Sequence, residues 1–185
     1  MNRFVIMTVG KTHSGKTTFA KALENQMFNS VVIDQDKHAE FLQMNYQTLL
    51  PKQGKNTIKY ALTQTIVNYA VTETNCHLIL CNSNRNLKGR LKLLEQFHSK
   101  GFTSILVSFN IPEHVLNDRV AKSQRDTSIL RTASSFAEVL TRQHNETNQN
   151  DVVAPIEGEA DHLFVIKDST EVETVIRKIV DLAQI

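Results

Sequence analysis

The chain is poor in every feature that marks an unusual environment. None of its 185 residues lies in an apolar run approaching the roughly 20 that a membrane-spanning helix needs, so no membrane partner is expected. The opening text MNRFVIMTVG has a short apolar run after Arg3 and no small-residue cleavage site. It reads as a buried strand rather than a signal peptide, and the cytoplasm is the expected location. Cysteine is nearly missing, with two in all, Cys76 and Cys81. Their spacing matches no metal motif, and an odd spacing within a strand sends side chains to opposite faces. Both are read as reduced residues in or near the core. The seven histidines show no H-x-H or H-x₃-H pair, which argues against a structural zinc site. Formal charge is only +2; this neither demands nor excludes a nucleic-acid partner, because a local basic patch can hide in a balanced total. Internal repeats and linker-like stretches are missing too, and nothing specifies an oligomeric state. Residues 1–185 are therefore read as one domain.

What is present is alternation. Apolar runs at 4–9, 31–33, 78–80, 102–109 and 163–166 alternate with helix-like periodic segments, the pattern of a parallel sheet with helices on its faces. The first helix is expected from about Lys16, with Phe19, Ala22, Leu23 and Met27 in its stripe. The stretch 37–75 reads as mostly helical, broken near Pro51 and Gly54. A helix is expected near 87–99, stopping at Gly101. Asn110 is the expected cap of the next helix, with Pro112 in its first turn, running to about Ala121. A polar stretch, Lys122 to Thr127, precedes a helix over about 132–144. The text HNETNQNDVVAPIEGEA is aperiodic and reads as a loop, and Ser169 or Thr170 is expected to start the last helix.

Residues 10–17 read GKTHSGKT, a match to G-x-x-x-x-G-K-[ST]. Gly10 and Gly15 permit the tight turn that aims successive N–H groups at phosphate oxygens. Lys16 reaches the β- and γ-phosphates, the Thr17 hydroxyl is the expected Mg²⁺ ligand, and the helix start adds its dipole. With glycine near 7% of average usage, chance would produce this pattern in roughly 1% of chains this long. Here it also sits between an apolar strand and an amphipathic helix, where the mechanism needs it. The expected nucleotide-binding set is Gly10, Lys11, Thr12, His13, Ser14, Gly15, Lys16, Thr17 and Thr18. For the side chains of Lys11 and His13, solvent exposure is the ordinary expectation.

From this loop onward the chain resembles the small P-loop kinases, in particular the 5′-hydroxyl kinase domain of phage polynucleotide kinase and the zeta-toxin-like group. The resemblance implies a three-layer α/β P-loop NTPase fold. Its five-stranded parallel sheet would run in the order 2-3-1-4-5, with helices on both faces and a lid at about 122–131. The text VVIDQDKHAEF places Asp34 and Asp36 where that group keeps the acids that position the acceptor and take its proton. A carboxylate there can accept a hydrogen bond from an incoming hydroxyl, and Asp36 is preferred; the plainer role for either is capping the next helix. Lys37 or His38 would stand where a basic residue meets the acceptor's phosphate. In LILCNSNRNLKGR, Cys81 occupies the place of the usual acid, which leaves Mg²⁺ to Thr17, phosphates, water and Asp34. In DRVAKSQRDTSILR, the resemblance implies that Arg119 stacks on adenine and that Arg125 stabilises the transferring phosphoryl group; Arg131 is a lesser candidate. The segment PIEGEADHLFVI resembles one seen before the last strand in several small kinases, with a structural role.

The reading is thus transfer of the γ-phosphoryl group of ATP, with Mg²⁺, to a hydroxyl on a small molecule or polynucleotide, with Lys16, Asp36 or Asp34, and Arg125 as the catalytic set. No N-K-x-D follows a strand, which argues against a GTPase. Two rivals stay open, a nucleotide-binding regulatory protein with little turnover and a slow ATPase. A polynucleotide acceptor would need Lys52, Lys55, Lys59, Arg85, Lys88 and Arg90 to converge into a basic track.

Overall fold

Val5-Ile6-Met7 and Leu78-Ile79-Leu80 are apolar without alternation, the pattern of strands covered on both sides. In the computed structural model, which describes residues 2–147, 149 and 151–184, these runs form the centre of a five-stranded sheet. Strands β1 (Arg3–Gly10), β2 (Ser30–Asp34), β3 (His77–Cys81), β4 (Phe102–Phe109) and β5 (His162–Ile166) pair in the order β2-β3-β1-β4-β5. Every pairing is parallel, with Ile6 beside Ile79 on one side and Ile105 on the other. The sheet order and the helix-covered faces are those expected of a P-loop fold.

Helices α1 (Lys16–Gln26), α2 (Gln35–Asn45), α3 (Thr57–Glu73), α4 (Leu87–His98), α5 (Glu113–Ala121), α6 (Phe136–Asn145) and α7 (Val172–Ala183) complete the chain. On one face Phe19 and Leu23 of α1, Leu116 of α5, Leu140 of α6, and Ile176 and Ile179 of α7 bury against Ile6, Ile105 and Ile166. On the other, Ala70 of α3 and Leu94 and Phe97 of α4 bury against Val5, Met7, Leu78 and Leu106. Each large aliphatic side chain so covered contributes about 1.5–3 kcal/mol relative to exposure. Among the described residues, no helix is long and apolar enough to cross a membrane.

Helix starts differ from expectation in instructive ways. Asn110 does not cap α5; its N–H donates to the Ile166 carbonyl at 2.8 Å and joins β4 to β5. The helix waits until Glu113 because Pro112, with ψ 144°, holds the cap position in an extended conformation, and a residue before proline avoids the helical region. Helix α6 begins at Phe136, not 132, where the Ser135 side chain accepts from Glu138 N. Near the end, Asp168 caps a 3₁₀ turn over Ser169–Glu171, and α7 proper follows.

One buried charge braces the carboxyl edge of the sheet. The Arg90 side chain is 0% exposed and meets Glu159 through two bonds, Nε to Oε2 at 2.7 Å and Nη2 to Oε1 at 3.1 Å. Its Nη1 donates to the carbonyls of Asn84, Arg85 and Val153, so the guanidinium's donors are spent inside the protein. Asp161 plays a similar part nearby, accepting from Ser104 N and Oγ, each at 2.8 Å. The segment before β5 thus fastens the sheet to the loop after β3.

Candidate nucleotide-binding and acceptor site

The carboxyl ends of β1, β2 and β3 open into a cleft of about 870 Å³. Its floor is the turn from Gly10 to Thr17. Gly10 ends β1 so close to its neighbours that a Cβ there would lie 2.9 Å from both Phe109 Cβ and Ser14 Oγ. Its N–H donates to the Ser83 carbonyl at 3.0 Å. Gly15 has φ 99°, a left-handed conformation that glycine adopts without strain, and α1 starts immediately after it. Among the described residues, none accepts a hydrogen bond from the N–H groups of 13–18. Those donors, at the positive end of α1, are what a polyphosphate requires.

Lys16 lines this cleft, half-buried, with Nζ 2.5 Å from the Lys11 carbonyl and 3.1 Å from Ser14 Oγ. Burial pushes its pKa down to about 8, against the partial support of Asp36 and Asp34. Thr17 Oγ1 donates to Asp34 Oδ2 at 3.3 Å and lies 3.6 Å from Cys81 Sγ. Asp34 and Cys81 are register partners across β2 and β3. Burial, and next the charge of Asp34, push the Cys81 thiol up to about 11, so it is neutral. One carboxylate and one hydroxyl, both hard oxygen donors, therefore stand at the end of the loop, a set that suits Mg²⁺ bound mainly through phosphates and water. Among the described residues there is no cluster of three or more acidic, histidine or cysteine groups that would form a protein-only metal cage.

The two acids on the second strand divide their contacts. Asp34 is buried, and its Oδ1 accepts from Asp36 N at 2.9 Å, which caps α2. Capping and proximity to Thr17 thus belong to the same carboxylate. Asp36 instead projects into the cleft, half-exposed, and pairs with Arg125 Nη2 at 3.0 Å. Of the expected basic neighbours, Lys37 lines the cleft and pairs with Glu40 at 2.5 Å, and His38 bonds Thr63 Oγ1 at 2.7 Å. Lys59 and Tyr60 of α3 line that side of the cleft, with Lys59 Nζ 4.5 Å from the Tyr60 ring centre.

The segment after α5 closes on the phosphate turn. Arg119 lines the cleft and donates to the His13 carbonyl at 3.2 Å. Arg125 lies 4.8 Å over the Phe136 ring. Arg131 is turned away onto the Pro51 carbonyl. Lys11 and His13 are not free in solvent, because the chain that returns from α5 and α6 covers them. Lys11 Nζ lies 3.4 Å from His144 Nδ1, and His13 contacts Ser123 and Phe136. Thr12 N donates to Gln143 Oε1 at 2.7 Å, a contact with no local signature in the sequence. Thr18 is exposed on α1 at the cleft rim.

Three cations of the expected basic track are tied to partners. Arg90 is buried on Glu159, Lys88 pairs with Asp151 at 2.9 Å, and Arg85 is held by the Gln143 carbonyl and Thr147. The neutral NSN text after β3 is structural as well: Thr8 Oγ1 donates to the Asn82 carbonyl at 3.0 Å, and Asn84 Nδ2 donates to the Thr8 carbonyl at 2.9 Å.

Against known proteins, a family model described as an AAA domain matches residues 5–149. No curated protein matches the sequence. Among solved structures, Kti12 of Chaetomium thermophilum, in complex with ADP-AlF3, superposes with a TM-score of 0.63 at 16% identity, covering 96% of this chain and 97% of that one. Shikimate kinase of Bacteroides thetaiotaomicron gives 0.58 at 16% identity, over 98% and 99% of the two chains. The APS kinase CysC of Mycobacterium tuberculosis, in complex with AMPPNP and APS, gives 0.58 at 14% identity, over 100% and 99%. At these identities the likeness is one of fold.

Proposed function

The chain belongs to the AAA domain family, and from that premise we propose that it is an ATP-dependent phosphotransferase with a hydroxyl acceptor. The observation that carries the proposal is the convergence of unpaired loop amides, Lys16 and Asp36 on one cleft. ATP phosphates lie on Gly10 to Thr18, where the loop amides and Lys16 neutralise them. Thr17 and Asp34 would hold Mg²⁺, which would supply further neutralisation of phosphate charge. Arg119 faces the nucleotide from α5. Asp36 accepts the acceptor's proton as the acceptor oxygen bonds the γ-phosphorus and ADP leaves. Arg125 releases Asp36 and takes up charge on the transferring group. The segment at about 122–131 acts as the lid that keeps water out. Lys59 and Tyr60 form the acceptor's wall, so the site takes a small hydroxyl compound rather than a long polynucleotide lying on a basic track. The cytoplasm, where ATP is abundant, is the proposed location.

The test is transfer of label from γ-labelled ATP to a panel of sugars, nucleosides and 5′-hydroxyl oligonucleotides. Label should appear on one class of acceptor, and Lys16→Ala should weaken ATP binding by about 100-fold, the loss of a charge-assisted contact to phosphate. An unlabelled panel together with unchanged ATP affinity in Lys16→Ala removes the proposal. The neutral thiol at Cys81 favours a second reading, nucleotide binding with little turnover, which predicts ATP binding without labelled product.

A further inference from the structure

His13 sits at the crown of the phosphate turn with φ 57°, a left-handed conformation uncommon outside glycine. That backbone sends its ring across to the segment returning from α5. Nδ1 lies 2.9 Å from Thr12 Oγ1 and Nε2 lies 2.8 Å from Ser123 Oγ, so both ring nitrogens are engaged by hydroxyls. The ring edge also meets Phe136, centroids 5.0 Å apart at 69°. Ser123 Oγ in turn accepts from Arg125 N at 3.2 Å. The Arg125 guanidinium rests on the same Phe136 ring, 4.8 Å from its centre. A continuous path therefore runs from His13 through Ser123 to the Arg125 main chain, and a second runs through Phe136 to its side chain.

Resting on the phosphotransferase reading, we propose that His13 is a positioning residue: through Ser123 and Phe136 it fixes where Arg125 stands relative to a γ-phosphate on the loop. The surroundings suit a neutral imidazole acting by geometry. Arg125, Lys16 and Arg119 all face His13, and burial first, then these three cations, lower its pKa. A neutral ring can donate from one nitrogen and accept at the other, and hydroxyls satisfy either arrangement. Being tied to the loop, the ring transmits any movement of residues 12–15 on phosphate binding directly to the lid. Among the described residues, the Arg125 main chain reaches the phosphate turn through Ser123 alone.

The proposal separates the γ-phosphate from the rest of the nucleotide, so the test is the preference for the non-hydrolysable ATP analogue AMPPNP over ADP, measured by calorimetry. Arg125→Ala should cut that preference about tenfold, the effect of one charge-assisted hydrogen bond. His13→Ala should cut it as much, and the double variant should lose no more than either single one. Ser123→Ala, which breaks the path from the lid side at a partly buried position, should act in the same direction even where His13→Ala folds badly. His13→Gln, whose amide can still reach Ser123 Oγ, should restore most of the preference. Equal loss of ADP and AMPPNP affinity, additive effects of His13→Ala and Arg125→Ala, or a preference that Arg125→Ala leaves intact would each overturn it. Wild-type protein that binds neither nucleotide would take down the phosphotransferase reading as well; wild-type binding with an unmoved preference takes down this inference alone.

Discussion

Along the phosphate side of the cleft, main-chain amides of the 10–17 turn are the donors, and their geometry is set from behind: Ser83 holds Gly10, Asn84 holds Thr8, and Arg90 holds the loop that carries both. The proposed acceptor side across from it is made of side chains, Asp36, Lys59 and Tyr60, standing half-exposed on α2 and α3. A backbone cradle fastened by a buried brace suits a ligand whose chemistry never changes. Side chains on exposed helix faces can be exchanged without disturbing the fold, which suits the partner that differs among kinases of one architecture. The comparison yields three expectations, of decreasing size, each able to break it.

The largest effect should come from the brace. Arg90→Ala leaves Glu159 buried without its partner and should cost about 3–5 kcal/mol of stability, read by denaturant unfolding, with nucleotide affinity lost alongside. A variant that is destabilised yet binds ATP normally would show that the phosphate side does not depend on its backing. Next comes Asp36→Asn, on the acceptor side. Turnover should fall about 10²–10⁴-fold, the usual contribution of a general base, with ATP affinity and thermal stability unchanged. Parallel loss of ATP affinity would mean that the two sides are not separable.

The smallest effect is a pH dependence. Burial depresses Lys16 to about 8 in the free protein, whereas a bound polyphosphate favours the ammonium. Below that value the lysine is already charged, and affinity should be flat with respect to its titration. Above it, each binding event must take up a proton, so ATP affinity should fall by up to about tenfold per pH unit. Calorimetry in two buffers of different ionisation enthalpy should register that uptake near pH 9. The same depressed value means that the fold holds Lys16 charged at a cost below pH 8, a cost relieved as pH rises through 8 toward 10.5.

The strands, the strand–turn–helix context of the phosphate turn and the acids at the end of β2 were legible in the sequence, because each is encoded locally, by an unbroken apolar run, a glycine pair or a short acidic text; the sheet order came only from the resemblance to the small P-loop kinases. What was not legible depended on distant partners. Arg90 reads as one more surface cation until Glu159, 69 residues later, neutralises it. His13 reads as a solvent-facing loop residue until Ser123, 110 residues away, reaches it. Asn110 looks like a helix cap, yet its backbone is committed to Ile166 in a neighbouring strand. The acidic text offers cap and catalyst as alternatives, yet the first acid serves both the helix start and the Thr17 hydroxyl. Local signals thus recovered elements and motifs, and long-range pairing decided which charges remain available to a ligand.

The contact between Arg125 and Asp36 has a consequence for idle protein. It joins two groups that are 38% and 52% exposed, an ion pair of a kind worth at most about 1 kcal/mol. So weak a link yields readily when a triphosphate draws the guanidinium inward. Under the proposed phosphotransfer, the arriving nucleotide is thus what would free the carboxylate for the acceptor.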